Sequence, residues 1–173
     1  CDVYFYEIAN DLGIDRMHDY LDRFGLGKRT GIDLNGERTG VTPSTEWKRN
    51  AFRDRDQKRW YLGETIIASI GQGYMTATPL QRTVAVAAMA TRGTTVQPRL
   101  VQFAVDPISG EQQLFDPVTL ADVGIDNEFY WDDIIASMAG VLHEITGTAY
   151  AAGLGAKYKM AGKSGTSQVI SIA

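Results

Sequence analysis

A single cysteine, Cys1, stands in the 173 residues, so no disulfide can form within the chain. Proline is scarce, five residues against eighteen glycines, which points to tight turns and close backbone approaches and away from a low-complexity linker. No apolar run approaches the roughly 20 residues that cross a bilayer. No leader peptide is legible, because Asp2 to Leu12 already follows a helical period. There is no excess of positive charge: the net charge of −4 argues against nucleic acid as a partner, since phosphate binding needs a concentrated basic surface. The two histidines, His18 and His143, form no H-x-x-x-H or H-E-x-x-H spacing, so a zinc hydrolase is not indicated. Gly71-Gln72-Gly73 is too short for a dinucleotide fingerprint, and no phosphate-binding P-loop pattern occurs.

What is present is an ordinary globular balance, 44% hydrophobic and 22% charged residues. The first helix should end at Gly13, and Asp15 can cap a second whose buried side carries Met17, Tyr20, Leu21 and Phe24. Gly25 to Gly40 reads as an ordered glycine-rich loop anchored by Ile32 and Leu34. Thr42 or Ser44 caps a short helix through Trp47 to Phe52. Lys48, Arg49, Arg53, Arg55, Lys58 and Arg59, interrupted by acids, read as a solvated mixed-charge face or as a surface for a partner or lipid headgroups.

An apolar stretch, Ile66 to Ile70, leads to Gly71-Gln72-Gly73. Thr78-Pro79 then opens a buried helix to Met89, with threonine as N-cap and proline in the first turn. Val96 to Phe115 reads as a β-hairpin turning at Asp106-Pro107-Ile108-Ser109-Gly110. Trp131 to Ile145 is an amphipathic helix with Ile134, Ile135, Met138, Val141, Leu142 and Ile145 inward, broken by Gly147-Thr148-Ala149. Lys163 to Ile172 reads as a strand. Both ends look cut, so the chain is expected to be an internal piece of one larger domain.

Lys163-Ser164-Gly165-Thr166 in that last segment brings together a cation, a hydroxyl, a residue without a side chain and a backbone N–H. Such an edge can bind a carboxylate and polarise an acyl carbonyl at the same time, as the K-[ST]-G element does in penicillin-binding enzymes and serine β-lactamases. Its companions in order are Cys1-Asp2-Val3-Tyr4-Phe5-Tyr6, Gly13-Ile14-Asp15-Arg16, Thr30-Gly31-Ile32-Asp33-Leu34, Glu46-Trp47-Lys48, Ile70-Gly71-Gln72-Gly73-Tyr74 with Thr78-Pro79-Leu80-Gln81, and Gly147-Thr148-Ala149. With these motifs, over essentially all its length, the chain resembles the transpeptidase domain of class B penicillin-binding proteins, most of all the elongation branch.

The resemblance implies an α+β transpeptidase fold, an antiparallel sheet flanked by helices, of which residues 1–173 would supply the C-terminal portion: most of the helical part plus the K-S-G strand. It implies a peptidoglycan D,D-transpeptidase that cross-links stem peptides through a serine acyl-enzyme during elongation and is inhibited by β-lactams. Lys163, Ser164, Gly165 and the Thr166 N–H would form the carboxylate-binding and oxyanion side, and Asp2 would complete the second motif. Ser164, Thr166, Gln72 and Gly73 would bind substrate. No serine here has lysine three positions later, so the S-x-x-K nucleophile is expected upstream and this chain alone is expected to be inactive. No cofactor is required. Cys1 reads either as a small buried residue or as a ligand of a structural zinc whose other ligands lie upstream. The expected partners are stem peptides, β-lactams, a membrane glycan polymerase and elongation-complex proteins. The expected location is the periplasm, on a protein anchored to the inner membrane. A septal transpeptidase and a non-catalytic β-lactam sensor are the alternatives; a serine β-lactamase would need a deacylating base not found here.

Overall fold

The computed structural model describes residues 2–165 and residue 167. The chain divides into two compact units, one running to Val123 and the other starting at Gly124. No helix among the described residues is long and apolar enough to cross a membrane.

In the first unit, α1 (Asp2–Leu12) and α2 (Ile14–Arg23) meet at Gly13, whose φ of 74° only glycine adopts without strain. The second helix starts two residues earlier than a cap at Asp15 implies, with Gly13 in the cap position. Asp15 is not its cap; the carboxylate instead accepts hydrogen bonds from the N–H and hydroxyl of Thr45, each at 2.8 Å, tying α2 to the start of α3 (Thr45–Ala51). Tyr20 is exposed beneath the Arg23 guanidinium and so is not on the buried side of α2, and Leu34 is exposed and does not anchor the loop. Ile14 and Leu26 are the buried apolar residues there. Ser44 caps α3 by accepting from Trp47 N–H at 2.9 Å.

Next come α4 (Leu62–Ser69) and α5 (Pro79–Ala90). The expected cap of α5 forms in full: Thr78 Oγ1 accepts from Gln81 N–H at 3.1 Å and Gln81 Oε1 accepts from Thr78 N–H at 2.9 Å. α1 packs on α4 and α2, with Ala9 buried. Gly40, at φ 62°, passes so close to the start of α5 that an added Cβ would lie 2.5 Å from Thr76 O and 2.8 Å from Gln81 Oε1. Gly40→Ala is therefore expected to destabilise the full-length protein by about 2–3 kcal/mol. An unchanged thermal midpoint would show that the backbone pairing of Val41 with Thr76, whose N–H groups donate to each other's carbonyls at 2.8 and 3.0 Å, yields freely.

The hairpin forms from β1 (Phe103–Val105) and β2 (Gln112–Leu114), paired antiparallel with Phe103 opposite Leu114. Asp106 Oδ1 closes its turn by accepting from Ile108 and Ser109 N–H at 2.7 and 2.9 Å. The Asp33 carboxylate ties the hairpin base to the glycine-rich loop by accepting from Leu100 and Val101 N–H at 2.6 and 3.0 Å.

Three carboxylates are held below their ordinary values. Backbone N–H donors lower Asp33 (Leu100, then Val101) and Asp106 (Ser109, then Ile108). For Glu37 the largest influence, burial, raises the value, but donors from Thr30 and Gly31 together outweigh it. A depressed folded value stabilises the fold at higher pH and is lost as pH falls through the ordinary carboxylate range. The melting midpoint should therefore drop between about pH 5 and pH 3, and D33N should flatten part of that slope. A slope unaltered by D33N would show that Asp33 contributes nothing to it.

In the second unit, α6 (Glu128–His143) begins three residues before Trp131 and ends before Ile145. Trp131 is buried, with Nε1–H donating to Ile125 O at 3.1 Å. Ile134 and Ile145 are exposed, so the buried side of α6 is narrower than its apolar pattern. A short α7 (Tyr150–Gly153) packs back on α6 so closely that a Cβ on Gly153 would lie 2.0 Å from Leu142 O.

Candidate active site

The Lys163-Ser164-Gly165 segment is joined to α6 and to the loop after it by a series of hydrogen bonds. Met160 N–H donates to His143 Nε2 at 2.9 Å and Gly162 N–H donates to Met138 O at 3.0 Å. The Thr148 and Ser164 hydroxyls then meet at 2.8 Å. Gly162 lies against Leu142, where a Cβ would stand 3.2 Å from Cδ1.

The segment is irregular, not the expected strand. Residues 161–165 carry no ladder, and no strand pairs with them among the described residues. Strand geometry needs a neighbouring backbone to take its N–H and C=O groups. Just before Lys163, a helix carbonyl takes the Gly162 N–H and a histidine nitrogen takes the Met160 N–H. The remainder of the expected strand, Thr166 and residues 168–172, lies outside the described residues.

Lys163 and Ser164 are exposed, and the Lys163 ammonium folds back to donate to Ser164 O at 2.7 Å. No atom of the described residues stands within 4 Å of where a Cβ on Gly165 would be, so the space beside that residue is open on their side. A cation, a hydroxyl held by a second hydroxyl, and open space beside a glycine suit an incoming carboxylate. If Thr148 donates to Ser164, the Ser164 proton is left free for such an anion.

Neither the Thr148–Ser164 contact nor the His143–Met160 bond is legible in the sequence, where Thr148 belongs to a helix break and companion motif and His143 to no metal-binding spacing. The Gly147-Thr148-Ala149 motif was the one signal for Thr148. Sixteen residues separate Thr148 from Ser164, so only the turn of the chain after α6 reveals their pairing.

The other sequence candidates lie in the first unit or outside the described residues. Asp2 starts α1 and is exposed. Cys1 and Thr166 are outside the described residues. Gln72 is half-buried and Gly73 exposed. They form a turn in which Gly71 and Gly73 have φ of 75° and 71°. Gln72 N–H donates to Ile67 O at 3.2 Å, and a Cβ on Gly73 would meet Ile67 Cγ2 at 3.0 Å. A separate hollow of about 400 Å³ between Asp33, Gln97, Arg99 and Phe115 holds none of the candidate residues.

The basic run is not uniformly solvated. Lys48 is only 2% exposed and pairs with the Glu64 carboxylate. Its partners come from residues 52–74, which charge spacing in the sequence cannot bring to it.

Residues 1–172 match the model of the penicillin-binding protein transpeptidase domain. The chain belongs to this family. The peptidoglycan D,D-transpeptidase MrdA of Escherichia coli is 39% identical over 171 residues, 99% of this chain and 26% of that protein. MrdA of Acinetobacter baumannii is 39% identical over 175 residues, all of this chain and 24% of that protein. Among solved structures, the chain superposes on Pseudomonas aeruginosa PBP2, crystallised with WCK 5153, with a TM-score of 0.82 and 40% identity, over 97% of this chain and 36% of that one. Helicobacter pylori PBP2, solved as a complex with MreC, gives 0.78 and 30% over 97% and 29%. The chain thus spans about a quarter of the length of the curated relatives it matches. It has the penicillin-binding transpeptidase fold, among the described residues a helix-rich portion with one small antiparallel sheet.

Proposed function

We propose that the chain provides the carboxylate-binding part of a peptidoglycan D,D-transpeptidase that works through a serine acyl-enzyme in cell elongation. The observation that carries this reading is the exposed Lys163–Ser164 pair, whose Ser164 hydroxyl is held by Thr148. The terminal carboxylate of a stem peptide binds Ser164 and Thr166, with Lys163 supplying positive potential. A serine of an S-x-x-K motif outside this chain attacks the carbonyl of the penultimate D-Ala. The terminal D-Ala leaves as the acyl-enzyme forms, and an amine from a neighbouring strand then attacks the ester and frees the serine.

The Thr166 N–H is one of the donors to the developing oxyanion; losing one such donor typically costs about 3 kcal/mol of transition-state stabilisation. Asp2 positions the second-motif serine, and Gln72 and Gly73 bind the substrate backbone. Resemblance to MrdA and to PBP2 favours the elongation branch, and the MreC complex of the Helicobacter pylori relative suggests partners of that kind. Attack from the periplasmic side of the inner membrane follows from the same reading.

Fluorescent penicillin labelling of the full-length protein tests the enzyme reading, and absence of labelling would sink it. Cell rounding on depletion would support elongation, whereas filaments would move the protein to division. Thr148→Val removes the hydroxyl while keeping the shape. It is expected to slow acylation about fivefold, less than Ser164→Ala does, because only the orientation of Ser164 is lost. Equal rates for T148V and wild type would remove Thr148 from the site.

A further inference from the structure

Lys48 sits inside a ring of aromatic side chains. Its ammonium lies 6.0 Å from the Phe52 ring centre, 5.6 Å from Trp60, 5.3 Å from Tyr61 and 5.5 Å from Tyr74. Glu64 supplies the countercharge through Oε1, and its Oε2 accepts from Tyr61 N–H at 2.8 Å, capping α4. Trp60 Nε1–H donates to Thr65 Oγ1 at 2.8 Å in the same helix. Tyr74 packs on Trp47 at 5.3 Å, Phe52 at 5.7 Å and Trp60 at 6.4 Å. A desolvated cation facing several rings attracts all of them, and such attraction strengthens as water is excluded.

The Gly71–Gln72–Gly73 turn lies between the two structures this cluster grips. On one side α4 is held by Glu64 and Thr65; on the other stands Tyr74 itself. Two glycines with positive φ make the turn intrinsically loose, so its conformation depends on how both ends are fixed. We propose that Lys48 is a positioning residue for this turn, and through it for the Gln72 side chain, an inference that rests on the transpeptidase reading given above. It predicts a residue remote in sequence whose loss disturbs substrate binding without touching substrate.

The test uses the full-length protein. Amide hydrogen exchange is followed by mass spectrometry in wild type, Lys48→Met and Glu64→Gln. E64Q keeps an acceptor for Tyr61 N–H while removing the countercharge, so it reports even where K48M does not fold. Exchange over residues 71–75 should become about tenfold faster in the variants, with α5 keeping its wild-type protection. A second arm resolves penicillin acylation into binding and acylation constants. K48M and Q72A should weaken the same constant, and the double variant should be no weaker than about the worse single one. Unchanged exchange over residues 71–75, or losses that simply add, would overturn the assignment of Lys48. Wild-type acylation by Q72A would instead remove Gln72 from the substrate site, and the exchange data would still decide whether Lys48 holds the turn.

Discussion

Lys163→Ala in the full-length protein is expected to slow acylation by a labelled penicillin by about 10- to 100-fold. The lysine is exposed beside Ser164, and its ammonium donates to the neighbouring carbonyl, Ser164 O. An ammonium in that position is free to turn towards an arriving carboxylate, and a hydrogen bond to a charged group is worth about 1.5–3 kcal/mol. Lys163→Arg keeps the charge and should recover part of the loss, although the guanidinium fork is a different shape. Because the interaction is solvent-exposed and ionic, the wild-type rate should fall with added salt, and the K163A rate should respond less. The folded structure should barely change, since no element among the described residues rests on the Lys163 side chain. Stopped-flow acylation alongside a thermal melt separates the two effects. Wild-type acylation in K163A would mean that another cation binds the carboxylate.

The second large effect concerns stability. Gln81 is fully buried, and its amide ties three stretches together. Oε1 accepts from Thr78 N–H, while Nε2 donates to Lys28 O and Thr39 O in the glycine-rich loop. Gln81→Leu fills the same volume but strands one N–H and two carbonyls away from water. Each orphaned group costs about 1–3 kcal/mol, and partial relaxation brings the expected total to about 3–4 kcal/mol. Chemical denaturation of the full-length protein would measure it. A loss under about 1 kcal/mol would mean that water reaches the loop carbonyls and that Gln81 is not their tie. The Gln81 and Lys163 effects should be independent, since one acts on folding of the first unit and the other on a surface charge of the second.

Local chemistry carried much of the architecture. Thr78-Pro79 followed by Gln81 specifies a helix start because hydroxyl, ring and amide each satisfy a neighbouring backbone constraint, and the structure forms that cap in full. Asp106 to Gly110 specifies a turn in the same way, and β1 and β2 pair across it. Gly13 marks the boundary between α1 and α2 because its conformation excludes a side chain. Apolar periodicity was a poorer guide to burial: Tyr20, Ile134 and Ile145 follow the helical pattern yet are exposed. A period reports which face a residue lies on, not whether anything covers that face.

By itself the sequence determined the family and the candidate chemistry, because Lys163-Ser164-Gly165, Gly71-Gln72-Gly73 and Gly147-Thr148-Ala149 are contiguous motifs whose function depends on residue type and order. Only the tertiary structure decided which groups those motifs touch. Thr148 reaches Ser164 because the chain turns back after α6, and Met160 bonds to His143 in the same turn. Asp15 binds the start of α3 across thirty residues instead of capping its own helix. Lys48, one charge in a basic run, is buried because Trp60, Tyr61, Glu64 and Tyr74 fold around it. Pairings of this kind depend on distances through space, which residues far apart along the chain acquire only when the helices pack.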